Sequence, residues 1–357
     1  VQVSRLFTRL RADANGRKWR PTNVDSEFDP ESIVTSPAEE FEGGEDFTYV
    51  LAGPGYVNNG GISTLWHDHF AEELTVKSSL TKFFGDRTNQ IVAGFEFKFN
   101  DYQWIDITRP WIGAPIFIDE NRTSETFRVG ETFDAWRVKP KRGAIFVTDK
   151  IRYNGLIANI GARLEYWAPG RYVDNAVNNA LDPNTLSTIP TFVAQDYLDS
   201  STEILGLRYK FRFLPKINVS FPVRENQVLF FNYGHSTRIP HPSYIYAGLD
   251  PFYQDQSDLP DLGNPNLDPE VDISYEIGFR NQITSNDAFN ASAFWRDKYD
   301  FVTTQSIRVQ DVDGRNVSKA FRINGDYARS RGVELSYIKR YKDLIRGQLS
   351  FTYSRAE

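Results

Sequence analysis

The 357-residue sequence contains no cysteine and no methionine. Without cysteine there are no disulfides and no thiolate metal sites, which fits a compartment where thiols are avoided. No stretch approaches the roughly 18 uninterrupted apolar residues of a membrane-spanning helix. A β-barrel stays open, because its strands hide their hydrophobicity in alternation. Charge of one sign is scarce as well: a formal net charge of −6 gives no case for a nucleic-acid binder. No Ser/His/Asp constellation and no phosphate-cradling glycine loop is recognisable, and Glu39 and Glu40 sit in an acidic stretch that reads as charged surface. No catalytic residue and no cofactor are assigned. The chain opens on "VQVSRLF", already strand-like and without an initiating Met, so it is expected to be a piece of a longer or processed chain.

What is present is alternation. In "LGLRYKFRFLPKINVSF", Tyr209, Phe211, Phe213, Ile217 and Val219 face one way, and Arg208, Lys210, Arg212, Lys216 and Asn218 the other. "NQIVAGFEFKFN", "LIANIGARLEYW", "VDISYEIGFRN" and "GQLSFTYS" repeat the pattern. A period of two means strands with one face in apolar surroundings. Eleven long strands are expected, near 1–11, 72–84, 89–104, 132–149, 151–167, 204–221, 227–235, 271–282, 288–299, 329–340 and 346–355. Pro215 removes a ladder hydrogen bond, so a bulge, a register change or a break into two strands is expected there.

A soluble sandwich also alternates, but its strands usually run only ~5–6 residues. The connections here alternate in length too. Short turns fall at 85–88, 222–226, 285–288 and 341–345, and long segments at 12–71, 103–131, 168–203, 236–270 and 300–328. Tight turns at one end and long loops at the other are the pattern of an outer-membrane barrel. Lipid cannot satisfy backbone groups, so such a sheet must close. Phe95, Phe97, Phe211, Phe213, Ile217, Ile273 and Ile277 are then expected to face lipid. Glu96, Lys98, Arg163, Glu165, Arg208, Lys210, Arg212, Lys216, Glu276 and Arg280 are expected to face the lumen. Tyr166, Trp167 and Tyr233 are assigned to the interfacial aromatic girdle. The fold class is all-β, an antiparallel transmembrane barrel of which this chain supplies a part.

Several segments carry a family resemblance. "RGAIFVTDKIRYNGLIANIGARLEYWAPG" and "LPKINVSFPVRENQVLFFNYGHSTRIP" resemble successive hairpins of TonB-dependent outer-membrane receptors, especially the Bacteroidetes-type, Oar-like branch. "GNPNLDPEVDISYEIGFRNQITSNDAFNASAFWRDKYDFV" is similar to the most recognisable barrel stretch of that branch, and "NGDYARSRGVELSYIKRY" and "GQLSFTYSRAE" continue it in order. The resemblance is specific over 139–357 and looser over 1–138. It implies a 22-stranded barrel filled by a plug, importing a scarce ligand such as a siderophore, glycan or peptide with energy relayed by TonB. The plug, the TonB contact and the remaining strands are not found in this sequence, so TonB is a partner by resemblance. Outer-membrane lipid and lipopolysaccharide are the other expected partners, with a surface lipoprotein or further membrane-complex subunits beside them. A structural or partner-binding barrel of a secretion or surface assembly, and a soluble β-rich binding protein, are the alternatives.

Loop aromatics and polar groups are the ligand-contact candidates: Trp66, His67, His69, Trp111, Arg238, His241, Tyr244, Tyr246, Phe252 and Tyr253. In "LWHDHF", His67, Asp68 and His69 are the candidate metal ligands, with a solvated loop as the plainer reading. The segments 12–71, 168–203 and 236–270 hold 22 acids and five Lys/Arg, so the rest of the chain is net basic. Either a basic lumen beneath an acidic rim steers charged ligands, or acidic loops aid solubility and the lumen answers an acidic plug.

Overall fold

The computed structural model describes residues 1–13, 65–85, 88–113, 129–185, 187–249, 261–310, 316–341 and 344–357. In chain order the elements are β1 (Gln2–Asp13), β2 (Leu65–Phe84), β3 (Asn89–Gly113), β4 (Val129–Val138), β5 (Lys141–Tyr153), β6 (Leu156–Ala168), α1 (Arg171–Leu181), α2 (Thr191–Ser200), β7 (Thr202–Ile204), β8 (Leu207–Arg224), β9 (Gln227–Arg238), α3 (Pro242–Tyr246), β10 (Asp261–Leu262), β11 (Glu270–Thr284), β12 (Asp287–Gln310), β13 (Asn316–Tyr341) and β14 (Ile345–Ala356). Eleven strands, β1-β2-β3-β5-β6-β8-β9-β11-β12-β13-β14, pair antiparallel in one meandering wall. Among the described residues the wall does not close on itself: β1 and β14 are its edges. Short β4, β7 and β10 pair with β3, β8 and β13.

Several boundaries differ from the sequence reading: β2 begins at Leu65 rather than 72 and β3 runs to Gly113 rather than 104, because the two stay paired beyond the expected strand ends, out to Leu65↔Thr108. The expected strand 132–149 is two strands, β4 on the loop-side half of β3 and β5 on its other half. They part at Lys139-Pro140, where proline has no N–H to continue the ladder; its carbonyl instead accepts from the Asn100 backbone N–H at 3.2 Å. The turn into β6 falls at Asn154-Gly155, with φ of +48° and +83°, a pair suited to a two-residue hairpin turn of the mirror type. The segment 300–328 is mostly strand, since β12 and β13 stay paired out to Gln310↔Asn316 past an irregularity between Lys298 and Val302. Segment 168–203 holds two helices rather than loop alone.

Pro215 produces neither a bulge nor a break. β8 runs through it in unbroken register with β6, Pro215 lying opposite Ala162. Pairing with β9 begins only at Lys216↔Gly234. The lost donor therefore falls where β8 has no β9 partner.

The two faces of the wall differ as alternation requires. Ile145 (59 %), Phe213 (61 %), Ile277 (59 %) and Leu349 (72 %) are exposed on the outer face. On the same face Tyr166 packs between Phe97 and Tyr209, and Tyr233 against Tyr275. The buried core lies elsewhere. Trp136 and Val138 of β4, Tyr172, Val173, Ala176 and Val177 of α1, Val193 and Tyr197 of α2, Ile245 and Tyr246 of α3, and Leu262, Leu267 and Phe321 form one cluster. The long connections thus fold into a cap with its own core at the loop end of the wall.

Candidate functional site

The inner face of the wall is charged but internally paired. Glu73 accepts from Lys98 at 2.6 Å and also from Arg142. Arg163 donates to Glu165 at 2.7 Å and lies 3.8 Å from Glu96. Arg208 reaches Leu198 O and Ser201, and Arg212 reaches Asp300 at 3.3 Å. Asn232 donates to Glu276 at 3.0 Å, Arg280 lies over the Phe230 ring, and Lys216 stands opposite Gly161 and Gly234. The expected basic lumen is therefore answered in large part by carboxylates of the chain itself.

Lys210 ties the wall to the cap. It is 3 % exposed and donates to Asn266 O (2.9 Å), Asn266 Oδ1 (2.7 Å) and Asp268 Oδ1 (2.8 Å). Four residues of the stretch "NPNLDPE" find their partners in this tie. Asn264 Oδ1 accepts from the Asn266 N–H, and its amide donates to Arg322 O. Leu267 is buried, and Asp268 exchanges two hydrogen bonds with the Asn324 side chain. Ser200 of α2 donates to Asn266. One short segment so joins α2, β8 and β13.

A cleft of about 280 Å³ opens between this cap and the wall, lined in part by Tyr102, Arg142, Trp167, Arg238, His241 and Tyr246. A second hollow of about 220 Å³ shares Arg142, Trp167 and Ile239, and Glu96, Lys98, Arg163 and Glu165 are among its other walls. Trp167 is thus a correction: it was assigned to the outer girdle, but as an odd residue of β6 it sits on the inner face beside Arg163 and Glu165, and it is buried. Tyr246 is almost wholly buried, donating to Pro169 O at 3.0 Å, and burial pushes its hydroxyl far above the ordinary phenol value. Tyr246 is first a cap residue, contributing to the cleft wall from its buried position. Burial, and secondly the neighbouring His69, hold His241 below the ordinary imidazole value. Its Nδ1 takes up Ser243 at the start of α3.

Residues 5–357 match the family described as "TonB dependent receptor-like, beta-barrel". The chain belongs to the TonB-dependent receptor family. It is therefore part of an outer-membrane β-barrel of a family of receptors rather than enzymes, and the soluble alternative falls. The FrpB iron transporter from Neisseria meningitidis is similar in fold, with a TM-score of 0.50, 11% identity, and coverage of 84% of this chain and 38% of that one. The ferric enterobactin receptor of Pseudomonas aeruginosa is similar to the same degree, with a TM-score of 0.50, 13% identity, and coverage of 85% and 38%. The chain thus spans about two-fifths of the length of these solved receptors. No curated protein matches it.

Within this chain the sequence candidates are dispersed unevenly. His67, His69 and His241 meet at the loop end around Trp104, whose ring stacks on His69 at 3.5 Å and meets His241 edge-on at 5.5 Å. Arg238 borders the cleft, and Tyr244 lies under the Arg322 guanidinium against the cap core. Trp66 and Trp111 fall on β2 and β3; Phe252 and Tyr253 lie outside the described residues. Asp68 is a correction as a metal ligand, because it points to the opposite face from His67 and His69 and is held by Arg9 at 2.8 and 2.9 Å. The carboxylate that the two histidines share is Asp106, directly opposite His67 on β3. Sequence reasoning missed Asp106, Trp104 and Trp136 because only strand register brings them there.

Proposed function

We propose that the chain is the ligand-receiving part of a TonB-dependent receptor that imports a scarce ligand, a siderophore, glycan or peptide, across the outer membrane. The observation that carries this reading is the cleft between wall and cap. Its lining mixes aromatic rings with Arg142, Arg238 and His241, which suits a ligand having both an apolar body and anionic or hydroxyl groups. Its volume is near the lower bound of ordinary ligand pockets, about 300 Å³, so a plug closing the lumen side would complete the site. Family membership supports energy coupling through TonB, and the quoted segments over 139–357 support the Oar-like branch. The cap end faces the exterior and the tight turns face the periplasm.

The test uses the full-length receptor in its own cell. Uptake of the nutrient that supports receptor-dependent growth should stop when TonB is deleted, and Trp167→Ala should weaken binding at least tenfold without lowering receptor abundance. Uptake that continues unchanged without TonB sinks the transport reading. Full-strength binding by Trp167→Ala moves the ligand out of this cleft.

A further inference from the structure

The import reading leaves one cluster at the loop end unused. His67 and His69 are two apart on β2, so both project to the inner face. Asp106 lies opposite them on β3. His67 Nδ1 is 2.5 Å and His69 Nε2 2.6 Å from the same oxygen, Asp106 Oδ1. The three atoms lie within 4.8 Å of one another.

We propose that His67 Nδ1, His69 Nε2 and Asp106 Oδ1 bind one divalent transition-metal ion of the Zn²⁺, Cu²⁺ or Ni²⁺ class. Two imidazole nitrogens with one carboxylate oxygen form a borderline donor set that suits these ions. Ca²⁺ and Mg²⁺ need many more oxygen ligands than one carboxylate supplies. Without a metal, both ring nitrogens must direct protons at a single oxygen. A cation would replace those protons and gather the same three atoms. The surrounding shell is already in place. Trp104 Nε1 donates to the other oxygen, Asp106 Oδ2, at 2.7 Å, and its indole stacks on His69. Groups that fix ligand orientation in this way are part of a working metal site. Three protein ligands leave open coordination positions. His241, which edges the Trp104 ring, also lines the cleft, so the metal would sit at the cleft margin. The proposal stands on this geometry and does not require that the receptor import anything.

The test uses the intact receptor purified from outer membranes in detergent and stripped with a chelator. Titration with ZnCl₂ by calorimetry should show one strong equivalent with release of protons. His69→Gln and Asp106→Asn should each weaken it at least tenfold, and Trp104→Phe by roughly 10–100-fold. His235→Gln should change nothing, since that ring bonds the Tyr233 hydroxyl elsewhere on the wall. Equal binding by the wild type and a His67→Gln/His69→Gln double variant overturns the site, as does failure of the wild type to take up zinc, copper or nickel. Should the variants not fold, the Cu²⁺ EPR spectrum of the wild type decides: coupling to imidazole nitrogen is expected, and its absence overturns the proposal. Metal binding lost with uptake intact would sink this site alone. Uptake independent of TonB with metal binding intact would sink the import reading alone.

Discussion

Replacing Lys210 by methionine separates the cap from the wall. Methionine keeps most of the apolar stem but removes the ammonium and its three hydrogen bonds to Asn266 and Asp268. Removing one partner of a buried ion pair costs about 3–5 kcal/mol. Here Asp268 is 36 % exposed and keeps Arg212 at 3.7 Å, so solvent and the second cation reduce the penalty to about 2–3 kcal/mol. The lost bonds fasten the 264–270 segment to β8, and no strand of the wall is fastened to another through them. The penalty therefore falls on local opening of that segment, which should exchange roughly 30- to 100-fold faster, at about 1.4 kcal/mol per decade. Hydrogen exchange with mass spectrometry on the intact receptor reads this directly. Peptides over 262–270 should accelerate, while peptides over 216–221 of β8 stay protected. Unchanged exchange over 262–270 would refute the claim that Lys210 holds the segment. Collapse of protection throughout the wall would refute the separation of cap from wall.

Other consequences are checked more briefly. An Arg in place of Phe213 at mid-strand on the lipid face should cost roughly 2–4 kcal/mol, seen as a lower temperature for loss of the heat-modifiable gel band; a shift no larger than that of an inner-face Asn218→Arg would invert the face assignment. Gly94→Ala puts a Cβ 2.4 Å from the Ser78 carbonyl oxygen and 2.7 Å from the Phe146 ring, whereas Gly234→Ala meets only Lys216 Cγ at 3.7 Å. The first should lose about 1–3 kcal/mol and the second almost nothing, on the same gel. Burial, ahead of the opposing bond from the Tyr197 hydroxyl, holds Asp174 above its ordinary value of 3.8. A carboxyl with a raised folded pKa contributes most below its unfolded value and loses that contribution as pH rises through the folded one. Exchange protection of α1 should therefore fall as pH rises above Asp174's ordinary value of 3.8, and Asp174→Asn should flatten the dependence; an unchanged slope in that variant would discard the explanation.

The wall was legible because lipid on one side and a polar interior on the other impose a period of two that nothing local overrides. Eleven long strands follow from that period alone. Its ends were less legible. In "RYVDNAVNNAL", Tyr172, Val173, Ala176 and Val177 recur at helical spacing and become the buried side of α1, although their place in an acidic stretch between strands suggests loop. Asn154-Gly155 carried the hairpin signal that places the β5–β6 turn. Trp167 stands at the loop end of its strand, which suggests the girdle, but its parity puts it inside. Asp106 could not be found at all, since it lies 37 and 39 residues from the two histidines and only the pairing of β2 with β3 makes them neighbours. Asp68 was chosen by adjacency in sequence, which in a strand guarantees the opposite face.

Wall and cap owe their stability to different solvents. The wall buries almost none of its outer residues: Phe213, Ile277 and Leu349 stay more than half exposed, and their transfer from water becomes favourable only in lipid. The cap does bury a core, from Trp136 of β4 through α1 and α2 to Phe321 of β13, and so follows the rules of a water-soluble domain. Two of its contributors, Trp136 and Phe321, are themselves strand residues, so the cap is seeded on strands that continue past the apolar band. That arrangement explains why the chemistry-bearing groups gather there. His67, His69, Trp104, Asp106 and Arg238 sit on paired strands, whose register fixes their spacing, while His241 comes from the segment leading into α3. Rigid positions of the first kind suit a metal, which tolerates little error in ligand placement. A position of the second kind, such as His241, is held by the cap and can shift when a ligand enters if the cap opens as the Lys210 experiment expects.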